Sequence, residues 1–381
     1  MAPMKMFSSR VEVGAGEPLG GGDPSRFSLK PSDVLEVSGL AFTSADGRAY
    51  RLCSIDALYA GRLMEGFKSD AEAHIFAASH THYAPMLDDS KPHIGGFSRS
   101  GYDAYVRALT QAESKETLPT RCRLYCAEVD VPVYRRFDYP DNILNRLLAG
   151  RFGFYPNEAR KIDRSIYLFE FGDEAKAHFV MVYHACHPVT QGVGCELSPD
   201  YVGAIRQAVR ERFAIKTVIF LQGCAGDVRP NLAEKRISWL PRFRLNWKFN
   251  WAPSAPVIAE VDQKYAGAVR AAALYGDLAL GDHPFDVGVR QMRLVDGRQV
   301  DTFRIGLPDG IEFHFLPFEV SHLYHLDLVS TGGPKKFIVS CTNETCGYLS
   351  HPAQHLAGGY EVHGSLYFMG LKEKLELKEL I

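Results

Sequence analysis

Short apolar runs recur along the chain, and each ends abruptly in polar residues. Tyr50-Arg51-Leu52-Cys53-Ser54-Ile55 stops at Asp56, and Ala73-His74-Ile75-Phe76-Ala77-Ala78-Ser79 stops at His80-Thr81-His82. Phe179-Val180-Met181-Val182-Tyr183 runs into His184-Ala185-Cys186-His187, Thr217-Val218-Ile219-Phe220-Leu221 into Gln222-Gly223, and Phe337-Ile338-Val339-Ser340-Cys341 into Thr342-Asn343-Glu344. Runs of this length, rich in β-branched and aromatic residues, predict buried strands. Helical patterns lie between them. Ser198 as N-cap, Pro199 in the first turn and Asp200 near the positive end predict a helix whose apolar face is Val202, Ile205, Val209 and Phe213. A second helix is expected over about Val257 to Leu274, closed by Gly276. The alternation predicts an α/β fold, a mixed β-sheet core with flanking helices, with polar chemistry gathered at the C-terminal ends of the strands. Residues 1–381 are expected to form one catalytic domain carrying an aromatic and basic insertion at about 236–256.

Composition narrows the classes. Hydrophobic residues at 46% and charged residues at 23% are those of a folded, soluble chain. A net charge of −2 gives no case for a nucleic-acid partner. The N-terminus lacks the apolar run of a signal peptide, and no stretch reaches the roughly 20 apolar residues of a spanning helix. The eight cysteines are dispersed and include no Cys-x-x-Cys pair, so a cytoplasmic, reduced protein is expected. Gly14, Gly16 and Gly20-Gly21-Gly22 lack the Lys-Ser/Thr ending of a phosphate loop, and a turn that brings backbone close to the site is the preferred reading. Residues 236–251 hold all three tryptophans, Trp239, Trp247 and Trp251, among Arg236, Arg242, Arg244 and Lys248. Such a segment suits peripheral membrane contact or an anionic part of a substrate; packing against the body is the plainer alternative.

The histidines supply the chemistry. Residues two apart in an extended strand face the same side, so His80 and His82 are expected to point into one cleft. His80 and His187 are candidate ligands of zinc (Zn2+), with a carboxylate needed as a third. His82, left off the metal, is free to donate a hydrogen bond or carry a proton. His74 and His184 lie inside apolar runs and read as core or supporting residues.

Ser79-His80-Thr81-His82-Tyr83-Ala84-Pro85 resembles the Thr-His-Thr-His-Ser-Gly-Pro motif of the neutral (non-lysosomal) ceramidases, and Cys186-His187-Pro188-Val189-Thr190 their His-Pro-Thr motif. Gly226-Asp227-Val228-Arg229-Pro230-Asn231, Asn145-Arg146, Pro317-Phe318-Glu319 and Gly359-Tyr360-Glu361 are similar to further segments of that family in the same order, over about residues 10–365. The resemblance, to the N-terminal catalytic domain of these enzymes, implies hydrolysis of an N-acyl amide with one zinc ion. It implies His80, His187 and Glu319 as ligands, with His82, Arg146 and Tyr360 contacting the scissile amide and its oxyanion.

Two departures change the picture. The family's tyrosine that completes the metal sphere falls on Thr345, so water, Tyr348 or Glu344 must fill that position. The family's signal peptide and C-terminal immunoglobulin-like domain have no counterpart here, which argues against a secreted enzyme attacking ceramide in membranes. The expected activity is therefore that of a zinc amidohydrolase on a small-molecule, lipid-linked or sugar-linked N-acyl substrate, such as an N-acetylated sugar intermediate. A metal-dependent esterase and a catalytically inactive binding or scaffold protein are the alternatives.

Overall fold

Three pairs of parallel strands end at one place, and they organise everything that follows. A computed structural model describes residues 4–138, 152–235, 247–294, 296–330 and 335–363. Ala49–Ile55 pairs in parallel with Ala73–Ala78, Ala177–His184 with Thr217–Gln222, and Ile311–Phe315 with Lys336–Val339. Each pair forms one edge of a separate sheet whose other strands are antiparallel. The first sheet adds Leu35–Thr43, Met4–Val11 and Ser114–Thr117; the second adds Ser165–Gly172, Arg121–Glu128 and Ala273–Ala279; the third adds Gln299–Leu307 and Asp286–Arg293. The mixed α/β architecture agrees with the apolar runs, each of which lies in a strand within one or two residues of its expected bounds.

The sheets share a core. Leu52 and Ile75 from the first, Phe169 and Met181 from the second, and Phe313 and Phe337 from the third belong to one buried cluster. Phe169 meets Phe313 and Phe337 edge-on, with ring centres 4.9 and 5.2 Å apart. Truncating any of these rings costs about 3–5 kcal/mol, so the packing that fixes the sheets also fixes where their strands end. Gly39, in the strand Leu35–Thr43, is required by that packing: a Cβ there would lie 1.9 Å from the Leu52 carbonyl oxygen.

The outer faces are covered by helices. Arg99–Gln111 buries Ala104, Tyr105, Ala108 and Leu109 against Phe7, Val37 and Phe76 of the first sheet. Tyr201–Phe213 and Ala255–Ala271 lie against the second, joined by Tyr201 stacked on Tyr265 at 4.2 Å. Two expected helix boundaries move. The N-cap of Tyr201–Phe213 is Asp200, not Ser198: Asp200 adopts a φ of 60°, and its Oδ1 accepts from Tyr201 N. Ser198 Oγ instead accepts from Asp200 N, one step outside the helix. The later helix ends at Ala271, and Gly276 is no cap. The chain passes directly into the strand Ala273–Ala279, where Gly276 sits at a register shift against Leu124.

Among the described residues no helix is long and apolar enough to cross a membrane. All eight cysteines are unpaired. Of the tryptophan-rich segment, 236–246 lies outside the described residues. At its end Phe249 is buried, and the partly exposed Trp251 rests on the Arg229 guanidinium at 4.5 Å.

Asp200 joins a helix to the loop after His187, since its Oδ2 also accepts from Thr190 N and Oγ1. Asp200→Ala is expected to cost about 2 kcal/mol and to lower Tm by about 2–3 °C. A denaturant midpoint and a thermal melt both unchanged from the parent would contradict this account.

Candidate metal centre

The polar residues at the strand ends converge. His80 follows Ala73–Ala78, His187 follows Ala177–His184, and Glu319 follows Ile311–Phe315; all three are buried. Each is held by backbone from a neighbouring strand end. His80 donates its N–H to the Ala57 carbonyl at 2.9 Å and points Nδ1 at the Leu58 carbonyl at 3.1 Å. His187 donates its N–H to Val228 and directs Nδ1 at the carbonyls of Ala225, 2.6 Å away, and Val228. A carbonyl can only accept, so both Nδ1 atoms carry the proton and both Nε2 atoms present lone pairs.

Those lone pairs face a carboxylate. Glu319 Oε2 lies 3.2 Å from His80 Nε2 and 3.3 Å from His187 Nε2. His80 Nε2 and Glu319 Oε2 are enclosed without a hydrogen-bond partner among the described residues. Zinc bonds of about 2.0–2.1 Å in a tetrahedron set neighbouring ligand atoms about 3.3 Å apart, which is the spacing found here. The donor set, two imidazoles and one carboxylate, is that of catalytic zinc sites, so the residues fit the ion. Without a cation the triad must take up a proton. Burial alone would depress His80, but Cys341 and the Glu319 carboxylate hold it well above the usual imidazole range. Burial alone would raise Glu319, yet His80 and His187 hold it well below the usual carboxylate range. His187 is driven to about 4 by burial and the neighbouring Arg135 charge.

His82 completes the cluster. Its ring meets His80 edge-on at 5.3 Å, and ligand nitrogens of His80, His82 and His187 lie within 4.8 Å of one another. Extended geometry is not what brings His80 and His82 together. His80 has a φ of 67°, in the left-handed region, and residues 80–82 belong to no strand. The glycine-rich turn folds over this pair: a Cβ on Gly21 would stand 2.3 Å from His82 Nδ1, and Gly21 has a φ of +92°. Burial, with His80 and His187 adding to it, holds His82 well below the usual imidazole range, so it is neutral near pH 7.

Asp227 locks the arrangement. Its carboxylate accepts from Ser321 Oγ at 2.5 Å, His322 N at 2.7 Å and Gln354 Nε2 at 2.6 Å. Its carbonyl accepts from Arg135 N, and Gly226 N donates to the Val320 carbonyl. One loop thus fixes the turn bearing Glu319 and the strand bearing Arg135.

Arg135 carries no signal in the sequence. A register shift between Tyr134 and Arg136 lets consecutive arginines reach one carboxylate: Arg135 Nε donates to Glu361 Oε1 at 2.8 Å, and Arg136 Nη1 to Oε2 at 2.6 Å. Arg135 also donates to Tyr348 Oη at 3.2 Å, and its Nη1 lies 3.5 Å from His187 Nε2. Tyr360, which the sequence resemblance singles out, meets Tyr348 edge-on at 5.4 Å and is exposed. Arg146 lies outside the described residues. Glu344 is exposed and does not line the cleft, and Thr345 is buried with its hydroxyl unpartnered among the described residues. His74 and His184 are supporting residues: His74 meets Ser69 Oγ, while His184 meets the Ser165 carbonyl and Tyr265 Oη.

A cleft of about 40 Å³ opens over the cluster, with Gly21, Tyr59, His82, Lys91, Glu319, Tyr348 and Tyr360 in its walls. A water needs about 10–15 Å³, so the space holds a few waters or one small reacting group.

No family model and no curated protein matches the chain. Solved structures do. The fold is that of the neutral ceramidases. A neutral ceramidase from Pseudomonas aeruginosa superposes with a TM-score of 0.64 at 13% identity, over 96% of this chain and 71% of that one. A ceramidase complexed with C2 gives 0.61 at 13% identity, over 96% and 72%.

The purified chain is expected to hold about one zinc, lost in His80→Ala and in His187→Ala. Because His80 must give up a proton that it holds tightly, zinc affinity should fall as pH drops through and below neutrality. Elemental analysis after dialysis at several pH values reads both; full occupancy in both variants would contradict the ligand assignment.

Proposed function

We propose that this chain is a zinc-dependent amidohydrolase that cleaves an N-acyl amide. The observation that carries the reading is the meeting of His80 Nε2, His187 Nε2 and Glu319 Oε2, with lone pairs turned inward by backbone carbonyls. The ceramidase fold adds support, because amide cleavage is what the sequence resemblance implies for these residues. His80, His187 and Glu319 would hold the ion, which supplies a hydroxide near neutral pH and polarises the carbonyl under attack.

The remaining steps fall to side chains. His82, neutral and with Nε2 unpartnered among the described residues, would take a proton from the attacking water and deliver it to the amide nitrogen as the C–N bond breaks, returning to its neutral form. Arg135, oriented by Glu361, stands with Tyr348 and Tyr360 on one side of the centre. A guanidinium and phenols there suit an oxyanion that develops during attack. Arg146 keeps the same proposed role by resemblance. The small cleft favours a short acyl group, as in an N-acetylated substrate. Peripheral contact of residues 236–251 with a membrane or an anionic carrier, and a cytoplasmic setting, remain part of the proposal; unpaired cysteines support a reducing compartment.

His82→Ala and Arg135→Met should retain zinc and lose roughly 100- to 1000-fold in kcat on an N-acyl substrate, the usual cost of one transition-state partner. Arg146→Ala, measured beside them, tells which arginine serves the oxyanion. Parent-like turnover in both His82→Ala and Arg135→Met would remove these roles. Hydrolysis of esters but no amide would move the assignment to esterase chemistry.

A further inference from the structure

Glu319 has two oxygens, and only Oε2 faces the imidazoles. Oε1 accepts a hydrogen bond from Tyr59 Oη at 2.7 Å, inside the protein. We propose that Tyr59 is the positioning residue of the metal centre, restricting Glu319 to one-oxygen ligation. The proposal rests on the metal reading above and goes beyond it, since neither the motifs nor the fold neighbours assign Tyr59 a part.

The geometry makes Tyr59 one half of a two-residue unit. Leu58 and Tyr59 follow the strand Ala49–Ile55. The Leu58 carbonyl orients His80 through Nδ1, and the Tyr59 phenol orients Glu319 through Oε1. One dipeptide from the first sheet therefore sets a ligand from its own sheet and another that follows a strand of the third. The dipeptide is itself anchored, because the adjacent Asp56 is paired with Arg206 and accepts from Glu36 N at 2.9 Å. On the ring side, Lys91 Nζ lies 5.0 Å from the centre of the Tyr59 ring, and Lys91 is in turn paired with Asp88. A cation over a phenol draws electron density from it and favours its role as donor.

The chemistry explains why such a group is needed. A carboxylate with both oxygens free can bind zinc through either or both, which changes the number of open positions. A phenol donating to Oε1 occupies one of that oxygen's two lone pairs and holds it turned toward Tyr59, which favours Oε2 as the atom offered to the ion. Thr345, at the place expected to supply a further ligand, contributes nothing visible: its Oγ1 is enclosed and unpartnered among the described residues. Of the phenols in the cleft wall, Tyr59 bonds a proposed ligand directly, whereas Tyr348 bonds Arg135.

Tyr59→Phe keeps the ring and removes only the donor. The zinc affinity of the full chain is measured by competition with a chromogenic chelator, and the cobalt(II)-substituted protein is examined by visible absorption. Zinc binding about 10- to 100-fold weaker than the parent, the usual effect of removing a partner of a metal ligand, with an altered cobalt spectrum, is expected. Affinity within about twofold of the parent and an unchanged spectrum, whatever the melting temperature, would overturn the role, because packing alone moves neither readout. If Tyr59→Phe does not fold, a crystal structure of the zinc-loaded parent decides. Glu319 bound through Oε2 with Oε1 on Tyr59 supports the role; two-oxygen ligation, or Tyr59 turned away, overturns it. A parent that takes up no zinc overturns the metal reading itself and this inference with it, an outcome distinct from the others.

Discussion

Two imidazole lone pairs face one carboxylate oxygen at 3.2 and 3.3 Å, in a place water barely reaches. Three electron-rich atoms so arranged repel strongly in a low dielectric. The fold enforces the arrangement by taking the Nδ1 protons onto the carbonyls of Leu58 and Ala225, which leaves neither ring free to turn. Every other feature of the region either maintains this confrontation or relieves it. A bound cation relieves it most completely; a proton shared between His80 and Glu319 is the substitute.

Maintenance is costly and is spread through the strand ends. His80, Cys341 and Asn343 all have positive φ values without being glycine, each at about 1–3 kcal/mol. They are restrained by hydrogen bonds, most of them between sheets: Asn343 N to the Phe76 carbonyl, Ala78 N to the Cys341 carbonyl, and Ser340 N to Gln222, with Cys341 N to Phe318 inside the third. Asp227 does the same for the Glu319 turn, accepting three hydrogen bonds on a wholly buried carboxylate. Strain gathered where three sheets end, and opposed by buried hydrogen bonds, is what a preorganised site requires.

Much of this was legible in the chain. Buried strands announce themselves by apolar runs, and polar clusters just past them mark where a cleft can form, so His80, His187 and the α/β class follow from local pattern. What escaped depends on backbone detail that local pattern does not encode. Arg135 reaches Glu361 through a register shift, invisible in Tyr134-Arg135-Arg136-Phe137 read as an alternating strand. Tyr59 stands in Ala57-Leu58-Tyr59-Ala60, which reads as plain core. Alternation places His80 and His82 on one face of an extended strand, whereas a left-handed residue turns the first ring inward. Asp200 displaced Ser198 as cap because its carboxylate also had a loop to hold.

The parallel pairs have a consequence for how the protein is made. Their common end draws one proposed ligand from each sheet, and His80 and Glu319 are separated by more than two hundred residues of chain. On the ribosome the first sheet can close and present His80 long before Glu319 has been synthesised. The centre therefore cannot act as a nucleus for folding, and a half-made chain offers an ion only scattered imidazoles. Under the proposed function, metal capture would belong to the last stage of assembly, where it would close a very long loop; closures of that length restrict the unfolded chain most. On the proposed reading the ion would be a seal on a finished molecule, taken up only once all three sheets have found one another.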